Sequence, residues 1–239
     1  MLVERAIAPS RQRAQAMIMA GKILVNNLPV DKAGHLISKN DSIVVKGKDI
    51  PFVSRGGLKL EAALQALELN LDGLICLDVG ASTGGFTDCL LQKGAARVYA
   101  VDVGYGQLAW KLRKDPRVVV IERTNIRQMP IEAIPEPVDI VTIDVSFISL
   151  KIVVPAVTNF MKKGALILAL IKPQFEVGKG QVGKGGVVKD PKLHAEVIEN
   201  LSVFFDAMGL ACKTVLSSSI LGPKGNREFF LLLDNRPMI

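Results

Sequence analysis

Runs of apolar residues alternate with stretches of helical apolar spacing throughout residues 54–239. Alternation of this kind is typical of strands and helices that follow one another in βα units, which build a parallel sheet with helices on both faces. The predicted strands are residues 74–78, 97–102, 118–122, 138–144, 165–171, 212–218 and 228–233. The predicted helices are residues 60–69, 85–91, 107–114, 152–161 and 191–208. No helical stretch separates the last two strands, so we expect an α/β fold with a mostly parallel, Rossmann-like sheet and an antiparallel end strand.

The first 48 residues show a different pattern. Ser10 is placed to cap a helix, and Gly21 is the residue type that stops a helix in a left-handed conformation. The predicted elements are a helix at 11–20, strands at 22–26 and 41–45, and a turn at 26–29. The stretch that follows contains Pro51 and has the composition of a linker. We therefore predict a small α+β domain at 1–48, a linker at 49–53 and an α/β domain at 54–239.

The charge of the chain is positive and concentrated near its N-terminus. The whole sequence has 30 basic and 23 acidic residues, which give a net charge of +7 and a pI of about 9.4. Residues 1–50 hold eight basic and four acidic side chains, so over half of the excess lies in about a fifth of the chain. Concentrated positive charge attracts polyanions through counterion release. The N-terminal domain is therefore predicted to contact RNA.

Cysteine and histidine usage limits the kinds of site that are expected. Cys76, Cys89 and Cys212 are widely spaced, which suits reduced thiols of a cytosolic protein better than disulfides. The sequence has no C-x-x-C motif and its two histidines lie far apart, so no metal site is predicted. The N-terminus lacks a signal-peptide pattern, and the longest apolar run, 165–171, is too short for a membrane span. We expect a cytoplasmic protein with no membrane partner.

A glycine-rich turn follows the strand at 74–78 and precedes a helix, an arrangement that binds nucleotides in α/β folds. A dinucleotide fingerprint needs glycine two positions after Gly80, where this chain has Ser82. The turn instead suits S-adenosylmethionine, which has no pyrophosphate. Asp102 ends the next strand, 22 residues after Gly80, where a carboxylate can accept both ribose hydroxyls. The predicted cofactor-binding residues are Asp78, Gly80, Ser82, Gly84, Gly85, Phe86, Asp102, Asn125 and Asp144, with Asn125 near the adenine edge.

A second glycine-rich stretch, residues 178–185, matches the first seven positions of a P-loop. Gly185 stands where a P-loop has the serine or threonine that binds magnesium, and the stretch follows the fifth predicted strand of its domain instead of the first. We interpret it as a mobile basic loop over the site, in which Lys179 and Lys184 contact RNA backbone. A plain surface loop is the alternative.

Two charged residues stand at the ends of apolar strands. Asp144 closes the fourth predicted strand and Lys172 follows the fifth. Charges there are costly unless paired or used, so these two form either a structural ion pair or part of an active centre. Amine-methylating enzymes of this fold commonly have two prolines after the fourth strand, and Asp144-Val145-Ser146-Phe147 has neither. No cysteine is at a strand end facing the site, which argues against carbon methylation of pyrimidines and leaves hydroxyl methylation.

Several motifs occur in the same order as in a known family. They are Ser54-Arg55-Gly56-Gly57-Leu58-Lys59-Leu60, the turn at 77–86, Asp144-Val145-Ser146-Phe147, Lys172-Pro173-Gln174-Phe175-Glu176 and Arg227-Glu228-Phe229. Together they resemble the TlyA hemolysin family of ribosomal RNA 2′-O-methyltransferases over essentially the whole chain. The resemblance implies a class I methyltransferase sheet, S-adenosylmethionine as cofactor and a cytidine ribose of ribosomal RNA as target. It also implies an FtsJ-like catalytic tetrad, which by motif falls on Lys59, Asp144, Lys172 and Glu228.

The N-terminal segments 2–5, 10–11, 20–26 and 30–32 resemble the ribosomal-protein S-four-like RNA-binding domain. This resemblance implies that a helix pair and an adjoining strand lie against structured RNA, here ribosomal RNA or a ribosomal subunit. The residues predicted to contact RNA are Arg5, Arg11, Arg13, Lys22, Arg55, Lys179 and Lys184.

Two roles are open for Lys172 in transferring a methyl group from a sulfonium to a 2′-hydroxyl. A general base needs the neutral amine, which desolvation and a neighbouring Lys59 favour. Asp144 favours the charged amine, which would stabilise the forming alkoxide. Rival functions are methylation of a ribosomal RNA base amine and a non-catalytic role in ribosome assembly. A haemolysin would need a membrane-inserting segment, and the apolar stretches of this sequence resemble core strands.

Overall fold

The computed structural model describes residues 1–8, 10–19, 21–46, 50–178 and 180–235. The chain divides into two compact units, Met1–Pro51 and Phe52–Ile239. The predicted helix end at residue 20, part of the predicted linker and Lys179 lie outside the described residues.

The first unit packs one helix against a small antiparallel sheet. Its elements are α1 (Arg11–Met19), β1 (Ile23–Val25), β2 (Leu28–Val30) and β3 (Ile43–Val45), with strand order β2-β1-β3. Ser10 caps the helix by accepting a 3.1 Å hydrogen bond from the Arg13 amide, as predicted. Leu2, Ala8 and Met17 are buried with apolar residues of the strands, which gives the unit a core of its own.

The turn predicted at 26–29 is shorter than expected. Asn26 and Asn27 both have positive φ, at 48° and 65°, which is the conformation of a two-residue hairpin turn. Leu28–Val30 then pairs with β1 as a strand. Pro29 is tolerated there because β2 is an edge strand, where a missing amide donor removes no ladder bond.

The second unit contains a seven-stranded sheet in the order β6-β5-β4-β7-β8-β10-β9. Its strands are β4 (Ile75–Val79), β5 (Arg97–Val101), β6 (Val118–Ile121), β7 (Val138–Ile143), β8 (Met161–Ile171), β9 (Ala211–Ser217) and β10 (Phe229–Asp234). The pairs among β4 to β8 are parallel, and β10 runs antiparallel to both β8 and β9. The predicted α/β fold with a mostly parallel sheet and an antiparallel end is confirmed.

The helices of this unit are α2 (Gly56–Ala66), α3 (Gly85–Gln92), α4 (Trp110–Arg113), α5 (Leu150–Val157), α6 (Pro173–Glu176) and α7 (Pro191–Ala207). Two differ clearly from the prediction. The helix predicted to begin at residue 60 begins at Gly56, and the helix predicted at 107–114 has a single turn. No helix in the described part of the chain is both long and apolar enough to cross a membrane.

The central strands are almost wholly buried, which fixes where a ligand can enter. Leu77, Val141, Ile167 and Leu231 on four neighbouring strands have no exposed surface. The order of the strands in the sheet reverses direction at β4, because β5 pairs with one edge of β4 and β7 pairs with the other. A crevice forms at the carboxyl ends of the strands at such a switch point. Antiparallel pairing of Phe229 with Ile171 then brings residue 228 to the same end of the sheet as residue 172.

Candidate active site

A cavity of about 320 Å³ opens at this edge of the sheet. It is bounded by the start of α2, the turn after β4, the loops after β7 and β8, and the residue before β10. Its lining residues are Ser54, Arg55, Gly56, Lys59, Gly80, Ala81, Ser82, Thr83, Gly85, Phe86, Asp144, Ser146, Lys172, Pro223 and Glu228. All four residues of the predicted tetrad therefore face one space.

The tetrad forms two ion pairs. Lys59 Nζ donates to Glu228 Oε2 at 2.6 Å, and Lys172 Nζ lies 2.5 Å from Asp144 Oδ1. Lys172 Nζ also donates to Ser146 Oγ at 3.1 Å. Charges removed from water are stable only when paired, and each lysine here has a carboxylate from a different element. The pairing leaves two cations and two anions along one wall of the cavity.

Glu228 is the most deeply placed member of the tetrad. Its side chain has no exposed surface, and Oε2 is held by Lys59. Oε1 has no hydrogen-bond partner within the residues that the structure describes. An unpartnered carboxylate oxygen in such a place costs free energy unless a donor reaches it from the cavity.

The turn after β4 approaches the loop after β7 closely. Gly80 has a φ of +85°, and a Cβ there would lie 2.5 Å from the Asp144 carbonyl oxygen, so only glycine fits. The Asp144 amide donates to the Val79 carbonyl at 2.9 Å, which ties the two segments together. Asp144 is thus fixed by backbone contacts to the same turn that would hold a nucleotide.

Asp102 supports the turn at its other side. Its Oδ2 accepts a 2.7 Å hydrogen bond from the Ser82 amide, and its Oδ1 accepts one of 2.7 Å from the Gly104 amide. Ser82 adopts a φ of +48°, and the bond from its amide stabilises that uncommon conformation. Asp102 lies beside the cavity and is half-buried, so each oxygen keeps a lone pair that a ribose hydroxyl could use.

Asp78 lies beneath the turn and outside the cavity lining. Its carboxyl has no exposed surface and accepts hydrogen bonds from Thr87 Oγ1 at 2.6 Å and Thr142 Oγ1 at 3.1 Å. Burial raises the pKa of Asp78 to about 7, although both threonine hydroxyls act in the opposite direction. These contacts join β4, α3 and β7, so Asp78 holds the turn from below.

The other predicted cofactor residues are more scattered. Phe86 and Gly85 line the cavity, and the Phe86 ring stacks on Phe230 with centroids 6.0 Å apart. Gly84 precedes α3 as its N-cap. Asn125 lies after β6, outside the lining, where its side chain accepts a hydrogen bond from the Arg127 amide.

Several predicted RNA contacts lie in the first unit. Arg5 donates to the carbonyls of Asp41 at 2.8 Å and Lys39 at 2.5 Å, so its guanidinium helps to order that loop. Arg13 donates to the Ile50 carbonyl at 3.2 Å. Arg11 is exposed on α1 and Lys22 precedes β1. Arg55 lines the cavity of the second unit, Lys184 is exposed in the glycine-rich loop, and Lys179 lies outside the described residues.

Four lining residues with polar or rigid side chains were not predicted from the sequence as site residues. They are Ser54, Thr83, Ser146 and Pro223. Ser54 and Ser146 lie within the motifs that contain Lys59 and Asp144. Their closeness in sequence to these two residues is the signal that could have identified them as site residues. Nothing in the sequence near Pro223 marks it, because it reaches the cavity only through the sheet pairing of β10.

The described residues contain no cluster of three or more histidine, cysteine or carboxylate side chains arranged to hold a metal ion. The cysteines are unpaired, and Cys76 and Cys89 are buried within β4 and α3. Burial raises the pKa of each of these two thiols to about 12, which leaves them unreactive as nucleophiles at neutral pH.

The sequence pattern of the FtsJ-like methyltransferases matches residues 52–235, and that of the S4 domain matches residues 1–43. The chain belongs to the FtsJ-like methyltransferase family. Among relatives of this FtsJ-like protein is the 16S/23S rRNA (cytidine-2′-O)-methyltransferase TlyA of Mycobacterium tuberculosis, 50% identical over 97% of this chain and 87% of the relative. Hemolysin A of Brachyspira hyodysenteriae is 42% identical over 92% of each chain.

Solved structures agree with the fold of this FtsJ-like methyltransferase. A protein from Streptococcus thermophilus, described as a candidate hemolysin, superposes with a TM-score of 0.80 and 40% identity over 99% of this chain and 87% of its own. An S-adenosylmethionine-dependent methyltransferase from Mesorhizobium loti gives a TM-score of 0.53 at 12% identity over 72% of this chain and 96% of its own, which shows the shared fold alone.

Proposed function

We propose that this protein transfers a methyl group from S-adenosylmethionine to the 2′-hydroxyl of a cytidine in ribosomal RNA. The observation that carries the proposal is the pair of ion pairs, Lys59 with Glu228 and Lys172 with Asp144, on one cavity wall beside a glycine turn. No cysteine is among the described lining residues, and the thiols of Cys76 and Cys89 are buried, which argues against a covalent route through a thiolate. Relatives named as rRNA (cytidine-2′-O)-methyltransferases support the same reaction.

The residues around the turn fit S-adenosylmethionine. Gly80 allows close approach to the backbone, and Asp102 stands where its remaining lone pairs can accept the ribose hydroxyls. Ser82 and Gly85 line the cavity on the side where the amino-acid end would lie. When bound, S-adenosylmethionine supplies a methyl group activated by a positive sulfur. Asp78 acts indirectly in this scheme, by keeping the turn in shape.

Lys172 is assigned here as a charged stabiliser of the ribose oxygen. Its Nζ lies 2.5 Å from Asp144 Oδ1 in an ion pair, and Ser146 orients the same group. The ammonium donates to the 2′-oxygen as that oxygen gains negative charge, and the hydroxyl proton passes to solvent on the side of Asp144, whose side chain is 23% exposed. S-adenosylmethionine, when bound, would supply the methyl carbon to this oxygen, with its sulfur as the leaving group.

Lys59 and Glu228 are proposed to position the acceptor ribose. Oε1 of Glu228 is buried without a partner in the described structure, so a ribose hydroxyl entering the cavity would satisfy it. Holding donor and acceptor in near-attack geometry supplies much of the rate in a transfer of this kind. The first unit would bring structured RNA to the enzyme through exposed basic residues such as Arg11. Such a substrate is consistent with a cytoplasmic enzyme.

Labelled S-adenosylmethionine incubated separately with small subunits, large subunits and free ribosomal RNA tests the proposal. We expect label in RNA that resists alkaline cleavage at the modified position and releases 2′-O-methylcytidine on digestion. Alkali-sensitive label on a base amine would instead support base methylation, and no label in any substrate would support a non-catalytic role.

Lys172→Ala is expected to lose methylation while retaining S-adenosylmethionine binding measured by calorimetry. Lys163→Ala is the matched control, because Lys163 is exposed near the start of β8, at the opposite end of the strand that leads to Lys172. Normal turnover by the Lys172 variant would remove this residue from the mechanism.

A further inference from the structure

Two segments beside the cavity hold exposed basic residues. Residues 180–189 and 221–227 contain four basic side chains and no acidic one, and each segment is followed by a carboxylate, Asp190 or Glu228. All four are exposed, and none forms an ion pair with a carboxylate in the portion of the chain that the structure describes. They are Lys184, Lys189, Lys224 and Arg227. We call this set the basic rim.

The first of these loops is an ordered hairpin. The Gly183 amide donates to the Val187 carbonyl at 3.1 Å, and the Gly186 amide donates to the Gly183 carbonyl at 3.1 Å. These two bonds close a tight turn with Lys184 near its tip. A lysine at the tip of a closed hairpin is presented to solvent at a defined place, unlike a lysine in an unbonded loop.

Asn226 fastens this hairpin to the second loop. Its Oδ1 accepts from the Val188 amide at 3.0 Å, and its Nδ2 donates to the carbonyls of Gly186 at 3.0 Å and Pro223 at 3.2 Å. The residue is only 3% exposed. A buried amide with both its donor and its acceptor groups used holds its partners in one arrangement.

The fastening places Lys224 against the first loop, beside the reacting groups. Lys224 Nζ lies 4.0 Å from the position that a Cβ on Gly186 would take. Pro223 lines the cavity, and Glu228 follows two residues after Asn226. The exposed cations of these segments have no carboxylate partner among the described residues, so an anionic ligand can pair with them.

We propose that Asn226 is a positioning residue that assembles the basic rim into a binding surface for the phosphates of the RNA strand flanking the target ribose. The inference rests on the proposed function and deepens it. The surface adds Lys189, Lys224 and Arg227 to the RNA contacts predicted from the sequence.

The charge contribution is tested by the salt dependence of binding to a labelled single-stranded RNA oligonucleotide. Each phosphate contact on a single strand contributes about 0.7 to the slope of log affinity against log salt. Lys184→Gln and Lys224→Gln are each expected to lower the slope by about that amount, and the double variant by about 1.4. Lys163→Gln removes the same charge at the opposite end of β8 and is expected to leave the slope unchanged. An unchanged slope in the double variant would overturn the proposal.

The positioning role is tested with Asn226→Ala, which keeps every charge. We expect a lower salt slope, faster tryptic cleavage after Lys184, and slower methylation with unchanged S-adenosylmethionine affinity. A wild-type slope and cleavage rate in folded Asn226→Ala would overturn the role of Asn226. If that variant does not fold, the Gln variants of exposed residues still decide whether the surface binds phosphate. Wild-type protein that binds S-adenosylmethionine yet methylates no ribosomal RNA would instead count against the proposed function.

Discussion

Gly222 offers a way to move the Glu228 carboxylate without changing any charged residue. A Cβ on residue 222 would lie 2.0 Å from Glu228 Oε1 and 2.5 Å from its Cδ. The Gly222 backbone has φ −68° and ψ −176°, which alanine adopts without strain. In Gly222→Ala the oxygen must therefore retreat by about 1.4 Å, the difference between 2.0 Å and an ordinary contact of 3.4 Å. The buried position of Glu228 leaves little room for that retreat.

The displacement is expected to lengthen the 2.6 Å contact between Lys59 and Glu228. A misplacement of about 1 Å near reacting groups costs on the order of 100-fold in rate. Single-turnover methylation of ribosomal RNA by Gly222→Ala should therefore fall by about that factor, with S-adenosylmethionine affinity nearly unchanged because residue 222 does not line the turn.

Gly34→Ala is the matched control, since a Cβ there meets nothing within 4 Å and its φ is outside the left-handed region. A folded Gly222→Ala protein with a rate within about twofold of wild type would refute the reasoning, because the position of the Glu228 carboxylate would then not limit transfer.

Three further predictions concern charge. Burial raises the pKa of Asp78 to about 7, against about 3.9 in an unfolded chain. The folded state therefore keeps the proton of this carboxyl up to a higher pH than the unfolded state does. The contribution of Asp78 to folding stability falls as pH rises from about 4 to 7. Asp78→Asn should abolish this fall in folding stability, which amounts to roughly 4 kcal/mol. Melting temperatures that depend equally on pH in both proteins between about pH 5 and 8 would contradict this. Glu228→Gln leaves the buried Lys59 ammonium without its carboxylate and should cost about 3 kcal/mol in urea denaturation, whereas an unchanged free energy of unfolding would show that the pair is not stabilising. Arg11→Gln should lower the salt slope of RNA binding by about 0.7 to 0.9 with no effect on S-adenosylmethionine affinity, and an identical slope would remove Arg11 from the interface.

The sheet was predictable because its signals are local. Each buried parallel strand is a continuous apolar run, and the glycine turn after β4 follows one of them directly. The errors also have local causes. β2 was missed because Pro29 argues against a strand, and only the pairing order shows that it lies at an edge. The first turn of α2 was missed because Gly56 and Gly57 are poor helix formers, but Gly57 packs where a Cβ would lie 2.3 Å from the Phe52 ring.

The residues of the candidate site were named from motifs, and of the two ion pairs only Lys172 with Asp144 was named as a possible pair. Lys59 and Glu228 are separated by 169 positions, so nothing local indicates that they pair with each other. The sequence suggested Lys59 as a neighbour that would influence Lys172, and the structure instead pairs each lysine with its own carboxylate. Asp102 was expected to face a ribose only, and its bonds to the Ser82 and Gly104 amides depend on loop geometry that no spacing rule predicts.

The position of β10 has a consequence for when the enzyme becomes competent. This strand, Phe229–Asp234, comes last along the chain yet enters the sheet between β8 and β9, both of which are synthesised before it. Glu228, which completes the cavity wall, takes its place only when that insertion has occurred. Until β10 has inserted, the glycine turn, Asp144 and Lys172 lack the residue opposite them, so completion of the cavity is tied to closure of the sheet.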